Sequence, residues 1–244
     1  MTKTVSEIGN DKSAENGLAR FMAMKTYDIL GINIKDNSVR EALHKTREYL
    51  SYNVPSVVFF LTKEVLLAAS DSEEHREFIE EGAEVTMIAS SDIFKAAEVT
   101  DKGREREIDR NLYLKGLLRI LSKEHRRIYL VTGNTAQMEE LKTLLGTFEN
   151  TLQVAGTFDH AEDSAVEDVT NDINTVTPYV VFAVMNGKDA IDFVDTGKKY
   201  INSRLIVLLQ PEMLKVKEDG SVKRGVMTKV SERLFTRIAG RYRQ

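Results

Sequence analysis

Short, continuous apolar runs alternate along the chain with segments whose apolar positions recur at helical spacing. Ser56 to Leu61, Val85 to Ile88, Arg127 to Val131, Tyr179 to Met185 and Leu205 to Leu209 read as strands, and their apolar continuity marks burial on both faces. Tyr27 to Ile34 alternates and predicts an edge strand, and a further strand is expected near Leu152 to Ala155. Ser38 stands three residues before Glu41, a capping box that opens a helix to about Tyr52, with Val39, Ala42, Leu43, Thr46 and Leu50 on one face and Asn53 and Pro55 ending it. Thr62 caps a helix through Ala69, Ser72 opens one to about Glu81, and Ser90 or Ser91 caps one that begins at Asp92. The charged stretch Thr100 to Asp109 breaks the pattern before a helix carrying Leu114, Leu117, Leu118 and Leu121. Two more helices are expected, over Ala136 to Leu145 and near Ala165 to Asn174. Apolar strands separated by helices predict an α/β fold, a doubly wound, mostly parallel sheet with helices on both faces.

Composition narrows the classes. The 244 residues carry a formal net charge of −4, which argues against a general nucleic-acid binder, and 42% hydrophobic content argues against disorder throughout. There is no Cys, so disulfides, Cys-bound zinc, iron–sulfur clusters and a thiol nucleophile are all excluded. The apolar runs are too short to span a bilayer, and the N-terminal residues lack an apolar segment of the signal-peptide kind, so the expected address is cytoplasmic. Three parts are expected: a mobile extension over 1–16, an α/β domain over 17–214 and a basic appendage over 215–244.

The appendage holds the sharpest charge asymmetry. Nine basic residues between Lys215 and Arg243 stand against Glu218, Asp219 and Glu232, so the rest of the chain carries the acidic excess. Val226, Met227, Val230, Leu234, Phe235, Ile238 and Tyr242 form one helical stripe, while Lys229, Arg233, Arg237 and Arg241 repeat every four residues along another. Such a helix fits an anionic membrane surface, with cations at phosphates and the stripe in the interface. It equally fits a terminal helix docked on the domain with its charges in water.

Ligands of open parallel sheets bind beyond the carboxyl ends of the strands, where helix N-termini gather. Those ends carry Thr62, Lys63 and Glu64; Ala89, Ser90, Ser91 and Asp92; Thr132 to Thr135; Asn186 to Asp189; and Gln210, Pro211 and Glu212. Gly133 and Asn134 form the most ligand-like turn, because glycine lets backbone approach a phosphate, yet Ser, Thr, Asn and Asp also stand there simply as helix caps. No Walker or dinucleotide fingerprint is present. His44, His75, His125 and His160 lie on separate segments without ligand spacing, so no metal site and no cofactor are expected. Asp159 beside His160 has the residue types of an acid/base pair.

The order of several segments resembles the bacterial N-acetylmannosaminyltransferase (WecG/TagA/CpsF) family. They are Ile29-Leu30-Gly31-Ile32, Asp71 to Phe78 followed by Ala83-Glu84-Val85, Arg127 to Leu130 leading to Gly133, Val154 to Thr157, Ile173-Asn174 before Pro178, Gly220 with Val222 to Arg224, and Glu232 to Phe235. The resemblance implies a glycosyltransferase fold, transfer of a sugar from a UDP-sugar to a polyprenyl-diphosphate-linked acceptor in cell-envelope polysaccharide synthesis, and no obligatory metal. It also implies a basic C-terminal segment at the inner membrane face, with Arg224, Arg233, Arg237 and Arg241 as its candidates, and self-association into a homo-oligomer.

The chain departs from the family pattern at its motifs. Phe59-Phe60-Leu61 stand where the family has Thr-x-Asn, Ile88-Ala89-Ser90 where it has Pro-Asp-Gly, and Asn186 to Ile191 where it has Gly-x-Pro-x-Gln-Glu. An alanine methyl cannot accept a hydroxyl proton. Asp92, three residues beyond Ala89, is the candidate replacement base. Ser90, Ser91, Gly133 and Asn134 are candidates for lining the substrate crevice, with Lys188 balancing a diphosphate. The alternative is an inactive homologue that keeps the scaffold and serves as a binding or regulatory partner at the membrane surface.

Overall fold

The structure, a computed structural model, describes residues 25–159, 165–215 and 221. The expected extension over 1–16, His160 and the appendage arginines Arg224, Arg233, Arg237 and Arg241 lie outside the described residues. Six strands form one parallel sheet: β3 (Ser56–Leu61), β4 (Val85–Ile88), β5 (Arg127–Thr132), β6 (Gln153–Asp159), β7 (Val180–Val184) and β8 (Leu205–Leu209), in the order β4-β3-β8-β7-β5-β6. Every residue of β3, β4, β7 and β8 is buried, which is why their sequences are almost wholly apolar, with only Ser56 and Thr86 as polar members.

Strand alternation divides the core into two layers. Val57, Phe59, Leu61, Ile206 and Leu208 pack under α2 (Lys63–Ser70), α8 (Val166–Val176) and α9 (Gly187–Gly197). Val58, Phe60, Val207 and Leu209 pack under α1 (Val39–Tyr49), α6 (Leu112–Lys123) and α7 (Thr135–Phe148). Full burial of each such side chain contributes roughly 1.5–3 kcal/mol. The helices after β5 and β7 therefore leave neighbouring strands toward opposite faces, the arrangement that opens a crevice at the carboxyl edge of a doubly wound sheet.

Three segments differ from the sequence pattern, the first being α9, a helix between β7 and β8 that the pattern does not predict. Tyr27 to Ile34 is not one edge strand but the centre of an antiparallel hairpin, β1 (Lys25–Ile29) and β2 (Ile32–Asp36). Leu30 (φ 61°) and Gly31 (φ 74°) form the two-residue turn. A left-handed leucine is unusual, and here its side chain is buried with Ile29, Ile32 and Ile34 in the first core layer. The hairpin lies alongside the β4 edge, where Asn37 Nδ2 donates to the Thr86 carbonyl (3.1 Å) and Thr86 Oγ1 to the Lys35 carbonyl (2.6 Å).

The charged stretch after Thr100 likewise folds, as α5 (Lys102–Asp109), capped by Asp101, whose side chain accepts from the Arg104 amide (3.0 Å). It is anchored by charge rather than by an apolar stripe. Arg104, 6% exposed, grips Asp36 through Nη2 (2.7 Å) and Nε (3.0 Å) and also bonds Glu107. The helix from Ser72 runs as α3 (Glu73–Glu77) and then widens into a π turn over Phe78–Gly82. The short α4 (Ser91–Ala96) follows β4 and is capped by Ser90.

Candidate active-site edge

Strand order decides which of the predicted residues meet. Gly133 and Asn134 follow β5, and Lys188 follows β7, the strand paired with β5. Ser90, Ser91 and Asp92 follow β4, at the far edge of the sheet. Four strand spacings separate β4 from β5, about 19 Å, so the candidates form two groups rather than one ring.

At the β5 end the turn is closed on itself. Asn134 Oδ1 accepts from the Gln137 amide (3.0 Å), and Gln137 Oε1 accepts from the Gly133 amide (3.1 Å). Asp159, at the end of β6, takes the Thr132 hydroxyl (3.2 Å) and the Thr135 hydroxyl (2.8 Å). The cap uses the very amide through which Gly133 would meet a phosphate. Lys188 is exposed.

At the β4 end Ser90 caps α4 through its hydroxyl, which accepts from the Asp92 amide (3.3 Å). Asp92 and Ser91 are buried, and Asp92 Oδ1 accepts from Lys95 Nζ at 2.9 Å. Beside them runs a narrow cleft bounded by Phe60, Ala89, Arg104, Glu107, Asn111 and Tyr113, with room for about one water molecule. Phe60 and Tyr113 meet edge to face at 5.8 Å, and the Tyr113 hydroxyl lies 2.7 Å from Thr46 Oγ1. Burial pushes the Tyr113 phenol well above its ordinary range. Burial also raises the Asp36 carboxyl; the Arg104 guanidinium opposes this, and the Glu107 charge adds to the rise.

The middle of the edge holds polar groups not chosen as site candidates from the sequence, though all are strand-end residues. The Lys63 side chain is 6% exposed and its Nζ lies 3.6 Å from Glu64 Oε1. Gln210 is 2% exposed, and its Nε2 has no hydrogen-bond partner. Burial, with the Glu64 charge adding to it, holds the Glu212 carboxyl above the usual carboxylate range, against the nearby Lys215 and Lys63. A buried cation, an orphaned amide and two carboxylates can recognise a polar, oxygen-rich group. Among the described residues no cluster of His, Asp and Glu is arranged to hold a metal ion, and no helix is long and apolar enough to cross a membrane.

A model of the glycosyl transferase WecG/TagA/CpsF family matches residues 27–190, from the hairpin to the first turn of α9. The chain belongs to that family. No curated protein matches it. Its WecG/TagA/CpsF membership agrees with the parallel six-stranded sheet flanked by helices and supports a glycosyltransferase-like function in general. The matched span contains β3, β4, β5 and β7 with the polar residues at their carboxyl ends; β8, with Gln210 and Glu212, lies beyond it.

Proposed function

We propose that the protein transfers a sugar from a UDP-sugar to a polyprenyl-diphosphate-linked acceptor in cell-envelope polysaccharide synthesis, using the carboxyl edge of the sheet as its site. The family match over residues 27–190 carries the reading. In this reading Asp92 is the base for the acceptor hydroxyl, held in place by Lys95 and the first turn of α4. Ser90 and Ser91 line the acceptor side, and Gly133, Asn134 and Lys188 line the opposite end. Proton removal balances bond formation: the acceptor oxygen attacks the anomeric carbon, its proton passes to Asp92, and UDP leaves.

The basic appendage is assigned to the inner membrane face, with Arg224, Arg233, Arg237 and Arg241 at lipid or acceptor phosphates. Binding to anionic vesicles should then fall with added salt and vanish on truncation before Gly225. Equal binding by the truncated chain would refute this assignment.

The cleft beside Ala89 favours a second reading, that of a binding or regulatory homologue, because it admits little more than a water and presents an alanine where the family has aspartate. Transfer of label from a UDP-sugar into the lipid fraction separates the two. The first reading expects acceptor-dependent transfer that Asp92→Asn reduces by about 100-fold or more. Transfer unchanged by Asp92→Asn would remove Asp92 as base. Absence of both transfer and saturable UDP binding would favour the second reading.

A further inference from the structure

Helix α5 is tied down by charge and by little else. Of its residues only Arg104 and Ile108 are buried. The helix that follows it, α6, buries six side chains, among them Leu114, Leu117, Leu118 and Leu121. The bonds that hold α5 run to the hairpin and to the start of α1. Arg104 grips Asp36 at the end of β2, Glu107 Oε2 accepts from the Val39 amide (3.2 Å), and the capping Asp101 pairs with Lys25 Nζ in β1 (3.2 Å). A segment with few buried apolar contacts opens at lower cost than the core around it.

The same segment is bracketed by two residues in the left-handed region, neither of them glycine. Glu98 (φ 56°) lies just past α4, and Asn111 (φ 50°) caps α6. Such positions at element boundaries are where a backbone absorbs a rigid-body swing. Between them α5 walls the cleft beside Ala89: Arg104, Glu107 and Ile108 line it from the helix, and Phe60, Met87 and Ala89 line it from the strand ends. Closed in this way the cleft holds about one water molecule. An outward swing of α5 removes its three lining side chains and uncovers the carboxyl ends of β3 and β4.

We propose that α5 is a hinged lid over the cleft at Ala89, shut by the Arg104 latch to Asp36 and opening about Glu98 and Asn111. Shut, it keeps anything larger than water from the end of β4. Open, it admits a ring-sized group there. The latch suits a lid because its strength is concentrated in one guanidinium, whose paired bonds to the Asp36 carboxylate form and break as a unit. Glu107 holds the same guanidinium from within α5, so the cation stays paired and travels with the helix when it swings out. The lid is an event of the unliganded chain and does not rest on the transferase reading, so failure of either leaves the other standing.

The chain has no cysteine, so a single introduced thiol reports access to the cleft. The full chain carrying Ala89→Cys is treated with dithiodipyridine, an uncharged disulfide of two six-membered rings, and the release of thiopyridone is followed in time. Ala190→Cys, in the opposite core layer and fully buried, reports global unfolding. A lid predicts labelling at Ala89→Cys far faster than at Ala190→Cys and nearly insensitive to low urea, with Asp36→Asn speeding it by about tenfold or more. Equal rates at the two positions, with the same steep urea dependence, would mean that access needs global unfolding and would overturn the lid. Labelling at Ala89→Cys that Asp36→Asn leaves unchanged would overturn the latch and with it the proposal. Hydrogen exchange without the introduced thiol covers the case in which Ala89→Cys fails to fold. The amides of α5 should exchange ahead of those of α6, and faster still in Asp36→Asn; equal protection of the two helices, or no response to Asp36→Asn, overturns the lid.

Discussion

Replacing Arg104 with Met removes the cation on which α5 is anchored. Arg104 makes two bonds to Asp36, at 2.7 and 3.0 Å, and another to Glu107, and both Arg104 and Asp36 are buried, at 6% and 4% exposure. The variant leaves the Asp36 carboxylate buried without its partner and the Glu107 carboxylate close by. Breaking one side of such a pair costs about 3–5 kcal/mol, or on the order of 10 °C in Tm for a domain of this size. Much of that cost belongs to the stranded charge rather than to the lost bonds. The double variant Arg104→Met with Asp36→Asn should therefore recover a large part of the stability, and the single variant should regain stability as the pH falls and Asp36 takes up a proton. Urea unfolding of the wild type, both single variants and the double variant completes a thermodynamic cycle. Additive single costs, or a loss below about 1 kcal/mol in Arg104→Met, would refute the view that this ion pair fastens α5 to the hairpin.

Two further outcomes follow from local geometry. A Cβ on Gly156 would lie 2.6 Å from Tyr129 Cε2, and Tyr129 is fully buried with its hydroxyl bonded to Asp172, so Gly156→Ala should destabilise by about 1–3 kcal/mol; thermal unfolding equal to wild type would contradict it. Burial, then the Glu74 and Asp192 charges, raise the Asp195 carboxyl. A carboxyl raised in the folded state lowers stability as the pH climbs through its titration, so Asp195→Asn should stabilise at neutral pH by less than about 1 kcal/mol. That gain should fade below the ordinary carboxylate range, and denaturant midpoints at pH 7 and pH 3 check it.

The buried strands were legible because both faces of each are covered: Val57 to Leu61 and Leu205 to Leu209 have no polar position to interrupt the run. Caps such as Ser38, Thr62 and Asn134 were legible for the same local reason, since each bonds an amide three residues ahead. The hairpin was not, because its turn places a leucine at positive φ and keeps that leucine in the core, so the apolar pattern runs straight through the reversal. Helix α5 escaped because its buried contact is a guanidinium, and the partner Asp36 lies 68 positions earlier. The candidate site was legible only as a set of strand ends. Which ends are neighbours depends on strand order, and order separates Asp92 from Gly133 while bringing Lys63, Gln210 and Gly187 onto adjacent strands.

The central claim is that a sugar nucleotide is held at this carboxyl edge, and hydrogen exchange of the full chain with and without a UDP-sugar tests it most directly. The account predicts slowed exchange along the carboxyl edge, in the first turns of α2, α4, α7 and α9 and in the segment around Gln210, with the outer faces of α1 and α8 unchanged. Protection elsewhere, or no protection at a ligand concentration that saturates binding, would contradict it.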